Sequence, residues 1–416
     1  MEALILAAGK GTRMRSEKPK VLHEIFDRPL LEYVLRTVEG AGVKCPAVVI
    51  GSGAEQVCSF LEKRGKKFST VLQKEQRGTG HAVMQAEKLY RGRKGSLLIW
   101  PGDMPLLKTE TLAAFIKAHQ EAKAKVSVLS CLRIEPKGYG RILRMGGSFY
   151  AIREELDATE SERRIQEVNT GVYLFDVEAL FASLKKIKPS NAKQELYLTD
   201  VIEVLYQKNE RIEAFPFALQ DEGQGINSRI DLAQAFTVMN KREIQKHQES
   251  GVTIISPETT FIAPGVKLGQ DTVIYPCTYI EENVKIGRDC KIGPFAKIRQ
   301  GADIGDECVI GSFVEVSRSK IGKKVMMKHL AYLGDAVVGD ETNIGCGAIT
   351  ANFDGKKKHQ TKIGKKVLVG SNTVFVAPVW IGDEARTGAG SVVTAKTKVE
   401  KRGVIAGVPA KPVEKR

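Results

Sequence analysis

From residue 262 onward an aliphatic side chain returns at every sixth position: Ile262, Leu268, Ile274, Ile280, Ile286, Ile292, Ile298, Ile304 and Ile310. The position four after each is small or β-branched: Val266, Thr272, Thr278, Val284, Cys290, Ala296, Ala302 and Cys308. Nine consecutive matches are far beyond chance and mark a hexapeptide β-helix. Each hexapeptide makes one short flat strand, and three make a triangular coil with the aliphatic residue inside. Coils of this kind bury their faces only by stacking, and the stack needs capping. The repeat puts Cys290 and Cys308 in the interior, as core residues. The period slips after Val316 and resumes at Ile363, Val369, Phe375 and Ile381. Function often sits where a regular scaffold breaks.

The first half has a different grammar. Residues 3–7, 47–50, 96–100 and 125–129 are continuous apolar runs that fit buried parallel strands. Helical patterns lie between them, at 30–39 and 110–124. Alternation of this kind predicts an α/β sheet with helices on both faces, binding nucleotides at the carboxyl ends of its strands. Residues 230–249 carry no Gly or Pro and space Leu232, Phe236, Met239 and Ile244 as a helix would. The chain of 416 residues therefore divides into a domain at 1–228, a linker helix at 229–250 and a β-helix domain at 251–416.

Composition excludes several classes. The formal charge is +15, yet the basic residues are dispersed and aromatics make up only 6%. That balance suits small polyanions such as nucleotides, sugar phosphates and coenzyme A, or a merely solvated surface, and no nucleic-acid motif accompanies it. No apolar run approaches a membrane span. The opening MEALILAAGKGTRM has no basic flank and no cleavage site, and reads as a strand. Seven scattered cysteines without a CxxC pair suggest neither a disulfide framework nor zinc, and fit a reducing cytoplasm.

The segment LAAGKGTRM follows the first strand. Gly9 and Gly11 let the backbone turn sharply and approach phosphates, while Lys10 and Arg13 add charge. It is not a Walker loop. Lys20, in PKVL, supplies a further cation. Gln73 precedes the turn Gly78-Thr79-Gly80-His81, where an amide and a backbone turn suit a uracil edge. Asp103 follows the strand at 96–100, where a Mg²⁺ ligand facing a nucleotide belongs. The series continues with GYGRI, Glu154, Asn169-Thr170-Gly171, YLTD and Asn227.

Together with VLQKEQRGTGHA, GDMPLL and DATESERRIQEVNTG, these motifs resemble the bifunctional GlmU family through essentially the whole chain. The resemblance implies synthesis of UDP-N-acetylglucosamine by acetyl transfer to glucosamine-1-phosphate and uridyl transfer from UTP to N-acetylglucosamine-1-phosphate. It implies a Rossmann-like nucleotidyltransferase domain, a left-handed β-helix and a homotrimer. Leu6, Ala7, Ala8, Gly9, Gln73, Gly78 and Thr79 would hold the nucleotide. Arg13 and Lys20 would stabilise phosphate charge, Asp103 and Asn227 would bind Mg²⁺, and Gly140, Glu154 and Asn169 would hold the sugar. Pro101 and Leu156 depart from the family's usual residues.

In the slipped part of the repeat, KHLAYLGD and NIGCGAITANFDG resemble the acetyltransferase half of the same family. They imply His329 as general base, a role that suits histidine because that residue type ordinarily titrates near working pH. Arg299, Tyr332 and Asn343 would hold the sugar phosphate. Cys346, Asn352, Phe353, Ser371 and Ala389 would line the acetyl-coenzyme A groove. Ser317 stands where the family carries a phosphate-binding lysine, Cys346 where it carries Ala, and Phe353 where it carries Tyr. An alternative keeps uridyl transfer alone and leaves the β-helix to assembly or regulation.

Overall fold

The structure, a computed structural model, describes residues 1–43, 46–65, 68–189 and 191–413. It forms two compact units, Met1–Val238 and Met239–Arg416. The first holds strands β1 (Glu2–Ala7), β2 (Ala47–Ile50), β3 (Ser69–Leu72), β4 (Ser96–Pro101), β5 (Val126–Leu132), a hairpin β6 (Arg141–Met145) and β7 (Ser148–Arg153), β8 (Glu167–Asp176) and β9 (Ile212–Ala218). The main path across the sheet runs β9-β5-β8-β4-β1-β2-β3, with the hairpin attached at β8.

Three of the four apolar runs become parallel neighbours, β4-β1-β2. The fourth, β5, is parallel to β9 on one side and antiparallel to β8 on the other, and β8 is also antiparallel to β4. The chain reaches β8 from the hairpin through a connection that holds a single helical turn, Glu160–Arg163, in place of a crossover helix.

Side chains alternate across each strand, so Leu4 enters one core while Ala3 and Ile5 enter the other. Helices α1 (Leu30–Gly40), α2 (Ala54–Lys63) and α4 (Thr109–Ala122) cover the second core through Leu31, Val57 and Phe115. Helices α3 (Thr79–Met84), α5 (Val177–Leu184) and α6 (Asp200–Gln207) cover the first through Val83, Leu180 and Val201. The last helix, α7 (Arg229–Glu249), carries the chain from one unit to the next. Its second half caps the coil: Asn240 donates to the Thr260 carbonyl (2.8 Å) and accepts from the Ile262 N–H (3.0 Å).

The second unit is a left-handed parallel β-helix with three faces. Register pairs Phe261 with Tyr279 and Lys267 with Lys285, one coil being 18 residues. The interior positions read from the repeat are buried, including Cys290 and Cys308. Leu268 is the exception, half-buried because its strand starts its face and has no coil beneath it.

The slip in the period has a simple anatomy. Val309 pairs with Met326 and Lys320 with Val337, coils of 17 residues; Ala336 pairs with Thr361, a coil of 25. The shortfalls fall between Val316 and Ile321 and between Leu333 and Val338. The insertion falls between Thr350 and Ile363. All three irregularities stack on one corner, and the regular period survives on the other two.

One corner carries a charge ladder. Successive rungs are Asp306-Glu307, Lys323-Lys324, Asp340-Glu341, Lys365-Lys366, Asp383-Glu384 and Lys401-Arg402. Lys323 pairs with Asp306 (2.8 Å), Lys365 with Asp340 (2.9 Å) and Arg402 with Glu384 (2.8 Å). The first aspartate of each acidic rung also accepts a backbone N–H from the rung before it, as Asp340 does from Lys323 (3.0 Å). Exposed pairs are individually weak, but like charges in direct register repel. Asp340→Lys would stack lysine side chains at 323, 340 and 365 on three successive rungs. Its thermal midpoint should fall below the parent's in low salt, and the gap should narrow in 1 M salt as screening grows.

Candidate functional site

In the first unit the carboxyl ends of β1 and β4 lie side by side, since Leu6 pairs with Pro101. The loops that follow build the site. Gly11 turns at φ +61, and a Cβ there would stand 2.8 Å from Lys20 Cβ. Glycine at this position is what lets the Lys20 stem close over the turn. The Gly102 N–H donates to the Leu6 carbonyl (2.8 Å), and the Ile226 N–H to the Asp103 carbonyl (2.9 Å). These bonds bring Asp103 and Asn227 together. Asp231 accepts from the N–H groups of Asn227 (2.9 Å) and Ser228 (2.8 Å), fixing Asn227 at the start of α7. Lys20 Nζ donates to Asp103 Oδ2 and to Asn227 Oδ1 (3.1 Å).

Two cavities meet at Pro101 and Asp103. One, of about 210 Å³, is lined by Leu6, Ala7, Ala8, Gly9, Lys20, Gln73, Gly78 and Thr79. The structure thus brings every residue expected to hold the nucleotide to one place. Gln73 ties the far wall: its Nε2 donates to the Gly78 carbonyl (3.2 Å) and lies 3.0 Å from His81 Nδ1. Gly78 sits at φ +108, where a Cβ would meet the Leu196 carbonyl at 2.5 Å. Thr79 Oγ1 accepts from the Leu198 N–H (3.0 Å), so the YLTD segment backs this turn.

The second cavity, of about 390 Å³, is lined by Arg13, Gly140, Glu154, Asn169 and Asn227. Asn169 sits where β8 bulges before Val172. Its N–H donates to the Gly140 carbonyl (2.8 Å), and its side chain accepts from the Gly171 N–H (2.9 Å) and donates to Tyr173 Oη (2.6 Å). Burial raises the Glu154 carboxyl above its usual range, and Thr199 donates to it at 3.4 Å. Burial, then the Glu154 charge, pushes neighbouring Asp200 up to about 6. Carboxyls held towards protonation suit sugar hydroxyls, which both donate and accept.

Tyr139, Thr170 and Asp231 also line this cavity and were not singled out from the sequence. The first two lie inside the GYG and NTG motifs. Asp231 carries its own signal, the helix-start spacing Ser228-x-x-Asp231.

In the second unit, register decides which residues meet. Ser312 pairs with His329. The Gly347 N–H donates to the Leu330 carbonyl, the Asn372 N–H to the Cys346 carbonyl and the Gly390 N–H to the Ser371 carbonyl. His329, Cys346, Ser371 and Ala389 are therefore successive rungs of one corner. Gly345, Gly370 and Gly388 precede the last three, and a Cβ on Gly345 would meet the Ser371 N at 2.6 Å.

The irregular corner collects a second group: Ser317, Tyr332, Asn352 and Phe353, with Arg299 one rung from Ser317 because Ile298 pairs with Val316. Arg299 Nη1 donates to Glu315 (3.0 Å). Asn343 does not join this group; it starts a strand on another face, between Met326 and Leu368. Phe295 and Phe313 stack at 5.2 Å and, with Leu330, stand exposed in the column beside His329.

Comparison with known proteins agrees with both halves. The MobA-like NTP transferase domain family matches residues 3–171, and the bacterial transferase hexapeptide family matches 283–318 and 360–395. The bifunctional protein GlmU of Halalkalibacterium halodurans is 42% identical over 426 residues, covering 94% of this chain and 93% of its own. Its counterpart in Clostridium acetobutylicum is 40% identical, covering 99% of this chain and 97% of its own. The chain belongs to the bifunctional GlmU family. It joins a nucleotidyltransferase to a hexapeptide acyltransferase. The gap between the two hexapeptide matches, 319–359, begins inside the first shortened step, takes in the second and most of the insertion, and carries His329, Tyr332, Asp335 and Asn352.

Proposed function

We propose that this chain makes UDP-N-acetylglucosamine from glucosamine-1-phosphate in two steps, acetyl transfer at the β-helix and uridyl transfer at the sheet. The observation that carries the second step is the pair of cavities meeting at Asp103. UTP fills the side lined by Leu6–Gly9 and Gln73, and N-acetylglucosamine-1-phosphate the side lined by Gly140, Glu154 and Asn169. The sugar's phosphate oxygen attacks the α-phosphorus in line, the α–β bridge breaks, and pyrophosphate leaves. The protein contributes position and charge. Arg13 faces the sugar phosphate and Lys20 the nucleotide.

The Asp103 and Asn227 side-chain oxygens fit Mg²⁺. They are hard donors, and they converge on a cation already, the Lys20 ammonium, which stands where a metal would. Bound there with phosphate and water oxygens, Mg²⁺ would offset charge on the phosphates. Lys20 would then turn to the phosphates it faces. Lys20→Ala should lower pyrophosphate release from UTP and N-acetylglucosamine-1-phosphate by about 10²–10³-fold. A rate within about twofold of the parent would contradict this role.

For acetyl transfer, His329 takes a proton from the glucosamine ammonium, the freed amine attacks the thioester carbonyl, and the C–S bond breaks as coenzyme A leaves. Cys346, Ser371 and Ala389, above His329 on one corner, give acetyl-coenzyme A a straight track. Arg299 and Tyr332 lie on the far side of the same face. The exposed Phe295, Phe313 and Leu330 beside His329 favour a homotrimer in which a neighbouring copy covers this strip and helps complete the site. Light scattering should return three chain masses at micromolar concentration; a single chain mass would contradict it. No helix among the described residues is long and apolar enough to cross a membrane. With its soluble substrates, the chain suits the cytoplasm.

A further inference from the structure

The phosphate of a sugar 1-phosphate carries up to two negative charges, and one arginine among acceptors is a poor match for it. Arg299 is already engaged: Nη1 meets Glu315 (3.0 Å) and Nε lies 3.5 Å from Glu281. A second guanidinium stands at the irregular corner. Where the coil shortens after Val316, Arg318 adopts φ +47. Its Nη1 donates to Ser317 Oγ (2.8 Å), its Nε to Asp335 Oδ1 (2.8 Å) and its Nη2 to Asp335 Oδ2 (3.0 Å). Asp335, from the next shortened coil, also accepts from Asn352 Nδ2, at the start of the insertion. All three irregularities of the β-helix thus converge on this one side chain.

The Tyr332 phenol hydrogen-bonds the Arg318 guanidinium, whose pKa is raised chiefly by its bonds to Asp335. Gly334 admits the approach, for a Cβ there would collide with Tyr332 Oη and Asn352 Nδ2. A guanidinium has five N–H donors in a plane. Three are spent on Ser317 and Asp335 and a fourth on Tyr332. The one left is a charged donor for a phosphate oxygen. Arg318 remains about one-third exposed, so that donor is reachable.

We propose that Arg318 is a substrate-binding residue for acetyl transfer, holding the 1-phosphate of glucosamine-1-phosphate opposite Arg299, with Asp335 and Ser317 aiming its guanidinium. This rests on the acetyltransferase reading above. Asp335 sets the direction of the fork and offsets its charge while the site is empty.

The test uses the full chain, with acetyl-transfer kinetics and calorimetric binding of glucosamine-1-phosphate measured side by side. Arg318→Ala should raise KM and Kd for the sugar phosphate by about tenfold or more. KM for acetyl-coenzyme A and the rate of uridyl transfer should stay within about twofold. Arg318→Lys should fall between. The double change Ser317→Lys with Arg318→Ala returns one cation to the same corner without the tether to Asp335, and should recover most of the lost affinity. Unchanged Kd in Arg318→Ala would overturn the proposal. So would a double variant no better than Arg318→Ala, which would mean that Arg318 only braces the corner. A parent that transfers no acetyl group would overturn the acetyltransferase reading and this proposal with it, whereas a parent that transfers acetyl groups while Arg318→Ala keeps its Kd would overturn this proposal alone.

Discussion

Asp103→Ala should abolish uridyl transfer, with pyrophosphate release falling by about three orders of magnitude or more, while acetyl transfer keeps the parent's rate. Asp103 is where the two cavities of the first unit meet, and its carboxylate binds the Lys20 ammonium. Removing it takes the carboxylate proposed to hold Mg²⁺ and leaves Lys20 with Asn227 alone. One preorganised electrostatic contact is worth about 10²–10³ in rate, and two are lost here. The fold should survive, because the local frame is backbone: the Leu6, Asp103 and Gly140 carbonyls still receive their N–H groups. The β-helix has its own core, so its chemistry should not register the change. Loss of both activities in a folded variant would contradict two independent sites.

His329→Ala should do the converse. It lies on an exposed rung beside Ser312, and its removal opens no core cavity. Without it the glucosamine ammonium has no base to take its proton. Acetyl transfer should fall by about 10²–10⁴-fold, the usual range for general base catalysis, with uridyl transfer intact. Raising the pH towards the amine's own pKa should recover part of the lost rate, because free amine then forms without help. Parent-like activity at neutral pH would move the general base to another residue.

The sequence exposed the architecture because both domains use strict periods. An interior position recurring every six residues can only be a stacked coil, and apolar runs alternating with helical patterns can only pack as sheet between helix layers. It exposed the first site through glycines with a backbone duty, such as Gly11 under Lys20 and Gly78 against Leu196. What it hid depends on register between distant segments. The break after Val316 read as a loss of period, whereas it is two shortened steps and one insertion stacked at one corner. That stacking decides that Arg318, Asp335 and Asn352 meet, and no local pattern carries it. Asn343 sits close in sequence to Tyr332 yet falls on another face, because a strand of the triangle turns the chain between them. The antiparallel β8 was hidden for a related reason: its apolar residues look like those of a parallel strand, and only the hairpin before it reverses the direction. The charge ladder was visible as scattered pairs such as Lys323-Lys324, but its alternation appears only once each coil is laid on the next.

The central claim is that one chain carries two chemistries, and the acetyl half tests it most directly. The purified full-length chain is given acetyl-coenzyme A and glucosamine-1-phosphate, and free coenzyme A is followed by its thiol. Release should depend on the sugar phosphate and saturate with it, and it should be absent with His329→Ala. Adding UTP and Mg²⁺ to the same reaction should then convert the acetylated product to UDP-N-acetylglucosamine. A parent that releases pyrophosphate from UTP and N-acetylglucosamine-1-phosphate, but frees no coenzyme A at saturating glucosamine-1-phosphate, would contradict the account and leave the β-helix without catalysis.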